Sequence, residues 1–272
     1  MITGALLLNP SKEITYKKCF LYARRIFLAL VIFGVCYSIV LMVGEGNKPS
    51  IISAFLNVYK GTSFGHLWYL YALIGIYLTL PIFRGFVSKA SKEDIQILLV
   101  VLFIFDFAIS ITNAAGIKSA FEVPITWPIF YLILGYYLND VDRSLYRFRF
   151  LLFLICIPII VLLALLNPVE GNKWLTNDSP IVALMAMSVF MIFTDIDFHE
   201  SRLMWKIDRL CFGVYLIHPL FIQLTYRVFK ITPMNFGITW LGTICVYLFF
   251  IVASFLFSFV ASLIKPLKKY VL

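Results

Sequence analysis

Charged residues are scarce in this sequence, and that scarcity excludes an ordinary soluble fold. Asp, Glu, Lys and Arg make up 14% of the 272 residues, against about 25% in soluble domains, whereas hydrophobic residues make up 62%. A globular chain of this length cannot bury so much apolar side chain, because too much of its surface would have to be apolar. The solvent for most of the chain must therefore be lipid.

Cysteines are few, and the common cofactor motifs are absent. The five cysteines are scattered in or beside apolar stretches, and their spacing matches neither a CxxC motif nor a zinc site: they are Cys19, Cys36, Cys156, Cys211 and Cys245. The sequence contains no P-loop, no dinucleotide fingerprint and no H-E-x-x-H motif. We therefore expect no metal and no permanently bound cofactor.

Apolar stretches dominate what is present. Eight of them are long enough, or nearly so, to cross about 30 Å of hydrocarbon as helices. They cover approximately residues 26–43, 67–83, 95–112, 123–138, 149–166, 180–194, 210–229 and 239–264. The fourth and sixth are short and need flanking residues to complete a crossing. The sequence thus predicts an all-α polytopic membrane protein with about eight full transmembrane helices in a single domain over residues 1–272.

The beginning of the chain predicts part of a further helix. Residues 1–8 resemble the last turns of a membrane helix, and Asn9-Pro10 fits either a helix stop or the first turn of a new helix. We expect apolar sequence to precede Met1 in a complete protein. Residues 12–25 are expected to form an interfacial helix, with lysines and arginines at the lipid headgroups.

The basic residues are distributed unevenly between the two sides of the membrane. Of the 23 lysines and arginines, 17 lie before the first stretch, in alternate loops or after the last stretch. The positive-inside rule then predicts that both termini are cytoplasmic. We expect a multi-pass protein of the plasma (inner) membrane, and the net charge of +9 is explained without a nucleic-acid partner.

The three histidines are the first candidates for chemistry. His199 lies in the polar loop 195–209, where a solvated side chain is expected. His66 stands at the outer end of the second stretch, beside an aromatic group that includes Trp68 and is equally compatible with an interfacial belt. His218 lies inside the seventh stretch, where it fits a neutral histidine bonded to a neighbouring helix as well as it fits a functional group.

Pro219 favours a functional role for the seventh stretch. It lacks a backbone donor, frees the carbonyl of Tyr215 and predicts a broken helix, which lipid tolerates only where the break is buried or lines a water-filled cavity. Tyr215 and His218, three residues apart, would face that cavity together. In the third stretch, Asp106 fits three roles: a proton relay, a partner for an arginine or histidine, or a protonated, hydrogen-bonded acid.

Three short segments, taken together, resemble the acyltransferase-3 family of integral membrane O-acyltransferases. They are Ile2-Thr-Gly-Ala-Leu-Leu-Leu8, Gly65-His-Leu-Trp-Tyr-Leu-Tyr71 and Phe212-Gly-Val-Tyr-Leu-Ile-His-Pro219, with Arg24-Arg25 between the first two. Their order and spacing extend the resemblance over essentially the whole chain. The family fold has ten helices, and this chain is similar to a member that lacks the first one. In the family, that first helix carries an arginine and the histidine that is usually assigned to catalysis.

The resemblance implies a function and a set of site residues. Family members move an acyl group, commonly acetyl, from cytoplasmic acyl-CoA to a hydroxyl of a cell-envelope polysaccharide or its lipid-linked precursor. Arg24 and Arg25 would bind the CoA phosphates. His66 would act as general base on the acceptor hydroxyl, and His218 and Tyr215 would complete the catalytic group along the passage.

Two other functions stay open at this point. Asp106 and His218 inside membrane spans also suit the permeation path of a transporter or flippase. A catalytically inactive remnant of the family is the third possibility, because no residue of this chain can take the roles of the missing helix. The partners expected for the leading hypothesis are acyl-CoA, a carbohydrate or lipid-linked glycan acceptor, and membrane lipid.

Overall fold

The predicted all-α fold is confirmed. The computed structural model describes residues 1–117, 119–120, 127–166, 174–197, 201–265 and 267, with the backbone alone for 227–228. The described residues form helices and connecting turns and contain no strand. His199 and the first residues of the fourth predicted stretch, 123–126, lie outside the described residues.

Eleven α-helices run through the described part of the chain. They are α1 (Ile2–Leu7), α2 (Tyr16–Gly44), α3 (Ile51–Lys60), α4 (Trp68–Val87), α5 (Lys92–Phe103), α6 (Ile109–Ala114), α7 (Trp127–Tyr136), α8 (Arg149–Leu166), α9 (Pro180–Thr194), α10 (Arg202–Gln223) and α11 (Thr239–Leu263). A π-helical turn, Ile104–Ala108, joins α5 to α6, and similar turns extend α7 and α10. A 3₁₀ turn, Gly65–Leu67, leads into α4.

Among the described residues, six helical segments are long and apolar enough to cross a membrane. They are Tyr16–Gly44, Gly65–Val87, Lys92–Ala114, Ser144–Leu166, Arg202–Tyr226 and Thr239–Leu263, and each overlaps one predicted stretch. The other two predictions, 123–138 and 180–194, correspond to the shorter helices α7 and α9, the two stretches that needed flanking residues. The chain is therefore a multi-pass helical membrane protein.

Two local features differ from expectation. Residues 16–25 are helical, but they continue without a break into the first span instead of forming a separate helix. The sequence analysis missed α3, which begins after an N-cap at Ser50, whose hydroxyl accepts from the backbone N–H of Ser53. It ends at Gly61, which has the left-handed conformation (φ 72°) that glycine permits. At 10 residues, α3 is too short to span a bilayer.

The chain divides into two compact units. Unit 1 comprises Met1–Cys19 and Leu78–Phe198, and unit 2 comprises Phe20–Tyr77 and His199–Leu272. The organisation of residues 1–272 as a single functional domain stays a prediction.

In unit 1, α1 packs closely against α7. A Cβ atom on Gly4 would overlap the carbonyl oxygen of Leu132, so only glycine permits this approach. Beyond the end of α1, the Arg84 guanidinium donates hydrogen bonds to the carbonyls of Leu7, Asn9 and Lys12. These bonds fix the turn after α1 by pairing carbonyls that the helix leaves free.

Unit 2 contains a hydrophobic core to which α2, α3, α4 and α10 all contribute. Its buried members are Ile26, Ala29, Leu30, Tyr37, Val58, Leu67, Leu70, Leu73 and Leu216. Helix α10 also packs along α11, where the Ser258 hydroxyl donates to the Leu210 carbonyl at 2.8 Å. This core fixes the positions of α2, the start of α4 and α10, the three elements that build the candidate site.

Candidate active site

The structure brings the three candidate catalytic residues together in unit 2. The ring centroids of His66 and His218 are 5.8 Å apart, with the rings at 73° to each other. The Tyr215 ring centroid lies 5.6 Å from that of His66 and 6.2 Å from that of His218. We call these three side chains the histidine cluster. It joins the turn before α4 to the middle of α10.

Local structure holds His66 in place. It lies in the 3₁₀ turn between Gly65 and Leu67, and the side chains of Leu67 and Leu70 next to it are fully buried in the core. The Tyr215 hydroxyl donates to the backbone carbonyl of His66 at 2.5 Å. The turn is therefore anchored by the packing of Leu67 and by a hydrogen bond from α10 to His66.

The prediction that Pro219 breaks the helix is wrong, because α10 continues through it to Gln223. The carbonyl of Tyr215, which Pro219 leaves without its regular donor, instead lies 2.9 Å from Nδ1 of His218. The Val214 carbonyl is 3.2 Å from the same nitrogen. Since a carbonyl oxygen only accepts, Nδ1 must carry the proton, and a neutral His218 then has its lone pair on Nε2.

Tyr37 of α2 is a member of the site that the sequence analysis missed. Its hydroxyl donates to the carbonyl of Leu216 at 3.0 Å and accepts from the backbone N–H of Leu220 at 3.1 Å. Its ring centroid lies 5.2 Å from that of His66, edge to face, and the side chain is buried. A signal was present, because Cys36-Tyr37-Ser38 interrupts an apolar stretch with two hydroxyls. An isolated tyrosine in a membrane helix is common, so this signal does not by itself indicate a site residue.

The His66 imidazole is enclosed but unpaired. Its Nδ1 and Nε2 atoms are both buried, and neither has a hydrogen-bond partner among the described residues. The rings around it belong to Tyr37, Phe64, Tyr215 and His218. A buried polar group without a partner costs about 1–3 kcal/mol, so we expect water or a ligand to pair these nitrogens in the membrane-embedded protein. Such an imidazole can accept a proton from a bound hydroxyl.

Arg24 and Arg25 lie elsewhere on the same unit. Both are exposed in the first third of α2. Arg24 precedes Tyr37 by 13 residues, which at 1.5 Å per residue is about 20 Å along the helix axis. The arginines are thus separated along α2 from Tyr37, the residue of that helix that contacts the histidine cluster.

The remaining candidates, Trp68 and Asp106, are not part of the histidine cluster. Trp68 is the first residue of α4, 42% exposed, and its ring centroid lies 5.8 Å from that of Tyr69. Asp106 belongs to unit 1 and lies in the π-helical turn Ile104–Ala108. Its Oδ2 atom is buried and has no hydrogen-bond partner in the part of the chain that the structure describes. The three roles expected for Asp106 stay predictions.

Comparison with known proteins now identifies the family. The acyltransferase-3 family model, described as an acyltransferase domain, matches residues 1–263. The chain belongs to the acyltransferase-3 family. No curated protein and no solved structure matches it.

Family membership makes the chain a membrane acyltransferase in general terms. An acyltransferase acting on an alcohol needs a base near the acceptor hydroxyl and a cationic site for the phosphates of an activated donor. In this acyltransferase-3 chain, the histidine cluster provides groups suited to the first task, and exposed arginines on α2 are suited to the second.

Proposed function

We propose that this acyltransferase moves an acyl group, in the first instance acetyl, from cytoplasmic acyl-CoA to a hydroxyl of a cell-envelope glycan or lipid-linked sugar. The protein would lie in the plasma (inner) membrane with both termini cytoplasmic, as the distribution of basic residues predicts. The observation that carries the proposal is the enclosed His66 imidazole, whose two nitrogens are buried without partners beside Tyr215 and His218.

The donor is assigned to the cytoplasmic end of α2. The phosphates of CoA are too strongly charged to enter hydrocarbon, so they must stay at the membrane surface. Guanidinium groups bind phosphate through paired N–H donors, and the exposed side chains of Arg24 and Arg25 would make these contacts. The thioester arm would then extend along the helix toward the level of Tyr37, about 20 Å away.

The transfer step is assigned to His66. Its imidazole takes the proton of the acceptor hydroxyl as that oxygen attacks the thioester carbonyl carbon. A C–O bond forms, the C–S bond breaks, and the proton passes from the imidazole to the leaving CoA thiolate. His218 and Tyr215 keep His66 in place, Tyr215 through its hydrogen bond to the His66 carbonyl.

The test combines a cellular and a purified measurement. Cells that lack the gene should lose ester-linked acyl groups from an envelope glycan, and the wild-type gene should restore them where His66→Ala does not. In nanodiscs, the protein should release CoA thiol from acetyl-CoA when a polyprenyl-linked sugar is present. Vectorial flux of a sugar lipid without acetyl-CoA, abolished by Asp106→Asn, would instead support the transporter hypothesis. Neither activity in a folded protein would support an inactive remnant.

A further inference from the structure

Helix α10 has an unusual arrangement at Pro219. The hydroxyl of Tyr37 bridges the Leu216 carbonyl and the Leu220 N–H, the two groups that a regular α-helix joins directly. A side chain inserted into this ladder is one of the recognised causes of local helix opening. The bridge lies in the same turn as Pro219, which removes the neighbouring bond to the Tyr215 carbonyl, so α2 adds hydrogen bonds to a turn that the proline weakens.

The same turn sets the chemical state of His218. The carbonyl of Tyr215 is free for Nδ1 of His218 because Pro219 has no N–H. That bond requires a proton on Nδ1, and it leaves Nε2 as the accepting nitrogen of the neutral ring. The Tyr37 hydroxyl bonds the Leu216 carbonyl and the Leu220 N–H, the next pair of backbone groups in this turn. Because the Tyr215 carbonyl belongs to the same turn, its direction depends on those bonds.

Tyr37 also contacts the other histidine. Its ring meets the His66 ring edge to face at 5.2 Å and packs on Phe64 at 4.8 Å. The side chain is only 3% exposed, and its hydroxyl is fixed by two backbone groups, so the ring has little freedom to move. One residue of α2 therefore constrains His66 through its ring and the His218 turn through its hydroxyl.

We infer that Tyr37 is a positioning residue that fixes the Pro219 turn of α10 and thereby keeps His218 in its Nδ1–H tautomer beside His66. Its importance for acyl transfer rests on the proposed function, whereas its effect on the His218 ring does not. Two sets of hydrogen bonds carry this effect. The Tyr37 hydroxyl bridges Leu216 and Leu220, and Nδ1 of His218 donates to the Tyr215 carbonyl.

The experiment is ¹⁵N NMR of the full chain labelled only at histidine, in nanodiscs. The chain has three histidines, so His66→Gln and His199→Gln variants assign the His218 signals. Wild-type His218 should show a single Nδ1–H tautomer. Tyr37→Phe should lose that signature and show exchange between tautomers, since α2 then no longer fixes the turn that carries the Tyr215 carbonyl. An unchanged His218 spectrum in Tyr37→Phe would overturn the inference.

Tyr71→Phe is the matched control. The Tyr71 hydroxyl also donates to a backbone carbonyl in unit 2, that of Val58, but no ring contact joins Tyr71 to either histidine among the described residues. It should leave the His218 signature intact. Pro219→Ala gives an independent test that does not depend on Tyr37→Phe folding. It restores an N–H that competes for the Tyr215 carbonyl and leaves Nδ1 only the longer contact to the Val214 carbonyl, so the preference for a single tautomer should weaken. Retention of the single tautomer there would also overturn the inference.

Activity separates this inference from the proposed function. In Tyr37→Phe, kcat for acyl transfer should fall by up to about 10²-fold while KM for acetyl-CoA stays near the wild-type value, because a misplaced group affects the chemical step. If the wild-type protein transfers no acyl group and the tautomer still changes, the proposed function fails and the inference stands. If transfer occurs and the tautomer is insensitive to Tyr37, the inference fails alone.

Discussion

The hydroxyl of Tyr215 donates to the backbone carbonyl of His66 at 2.5 Å, across 149 residues of sequence. This bond ties the middle of α10 to the turn that precedes α4. Because it uses the backbone of His66, it leaves both imidazole nitrogens available, and both are buried without a partner among the described residues. The site therefore fixes the position of His66 without forming a hydrogen bond to its imidazole.

Removal of this bond should be measurable on its own. Tyr215→Phe is expected to cost about 1 kcal/mol of stability, because one buried hydrogen bond is lost and its acceptor is left unpaired. Acyl transfer should fall through kcat, with KM for acetyl-CoA little changed. Thermal unfolding and steady-state kinetics in nanodiscs measure the two effects. Tyr59→Phe is the control, since the Tyr59 side chain is 88% exposed and should tolerate the change. Equal losses in the two variants would contradict the role of the bond.

The proposed role of His66 as general base predicts a larger loss of activity. His66→Ala should lower acyl transfer by about 10²–10⁴-fold, the usual contribution of a general base, while acetyl-CoA still binds. Radiolabelled acetyl transfer and equilibrium binding of acetyl-CoA separate the two quantities. His199→Ala serves as the control, because the sequence places that histidine in a polar loop. Activity of His66→Ala near the wild-type level would mean that another group takes the proton.

The proposed role of Arg24 and Arg25 concerns the binding of acetyl-CoA and not the transfer step. Replacing Arg24 and Arg25 together by alanine should abolish acetyl-CoA binding and leave membrane insertion unchanged, because paired guanidinium contacts to phosphate are lost. Lys17→Ala with Lys18→Ala removes the same charge from an earlier turn of α2 and should have a much smaller effect. Binding measured at two salt concentrations distinguishes specific contacts from general attraction. Equal losses in the two double variants would rule out a specific arginine site.

The close packing of α1 on α7 gives a prediction about stability. Gly4→Ala would place a methyl group against the Leu132 carbonyl oxygen, so the backbone of α1 or α7 has to shift, at a cost of about 1–3 kcal/mol. Gly85→Ala in α4 is the matched change, because nothing lies within 4 Å of its Cβ position. It should be neutral or slightly stabilising, since alanine favours a helix more than glycine does. Thermal unfolding in detergent should rank the two variants in that order.

Much of this fold could be predicted because lipid imposes a simple rule on sequence. A chain that crosses hydrocarbon must pair its backbone within helices, so apolar length alone located the six long spans, and 180–194 matches α9. The rule is silent about α3, which is too short to cross, and about the extension of α2 back to Tyr16. Those features depend on caps and on helix-forming residues at the membrane surface.

The site was predictable only in part, for a different reason. His66, Tyr215 and His218 could be chosen because ionisable or hydroxyl groups in apolar spans are conspicuous. The effect of Pro219 could not be predicted from α10 alone. A proline opens a helix where nothing replaces the lost bond, and here His218 and Tyr37 provide replacements. Tyr37 is remote in sequence, so its role exists only in the folded structure.

The division of the chain also affects how the site is made during synthesis. Unit 2 is formed by Phe20–Tyr77 and His199–Leu272, and the whole of Leu78–Phe198 is translated between its two parts. At 5–20 residues per second, the 149 residues from His66 to Tyr215 take about 7–30 s to synthesise. During that interval His66 is already in the nascent chain, but Tyr215 and His218 have not been made. The histidine cluster can therefore assemble only after Leu78–Phe198 has been synthesised.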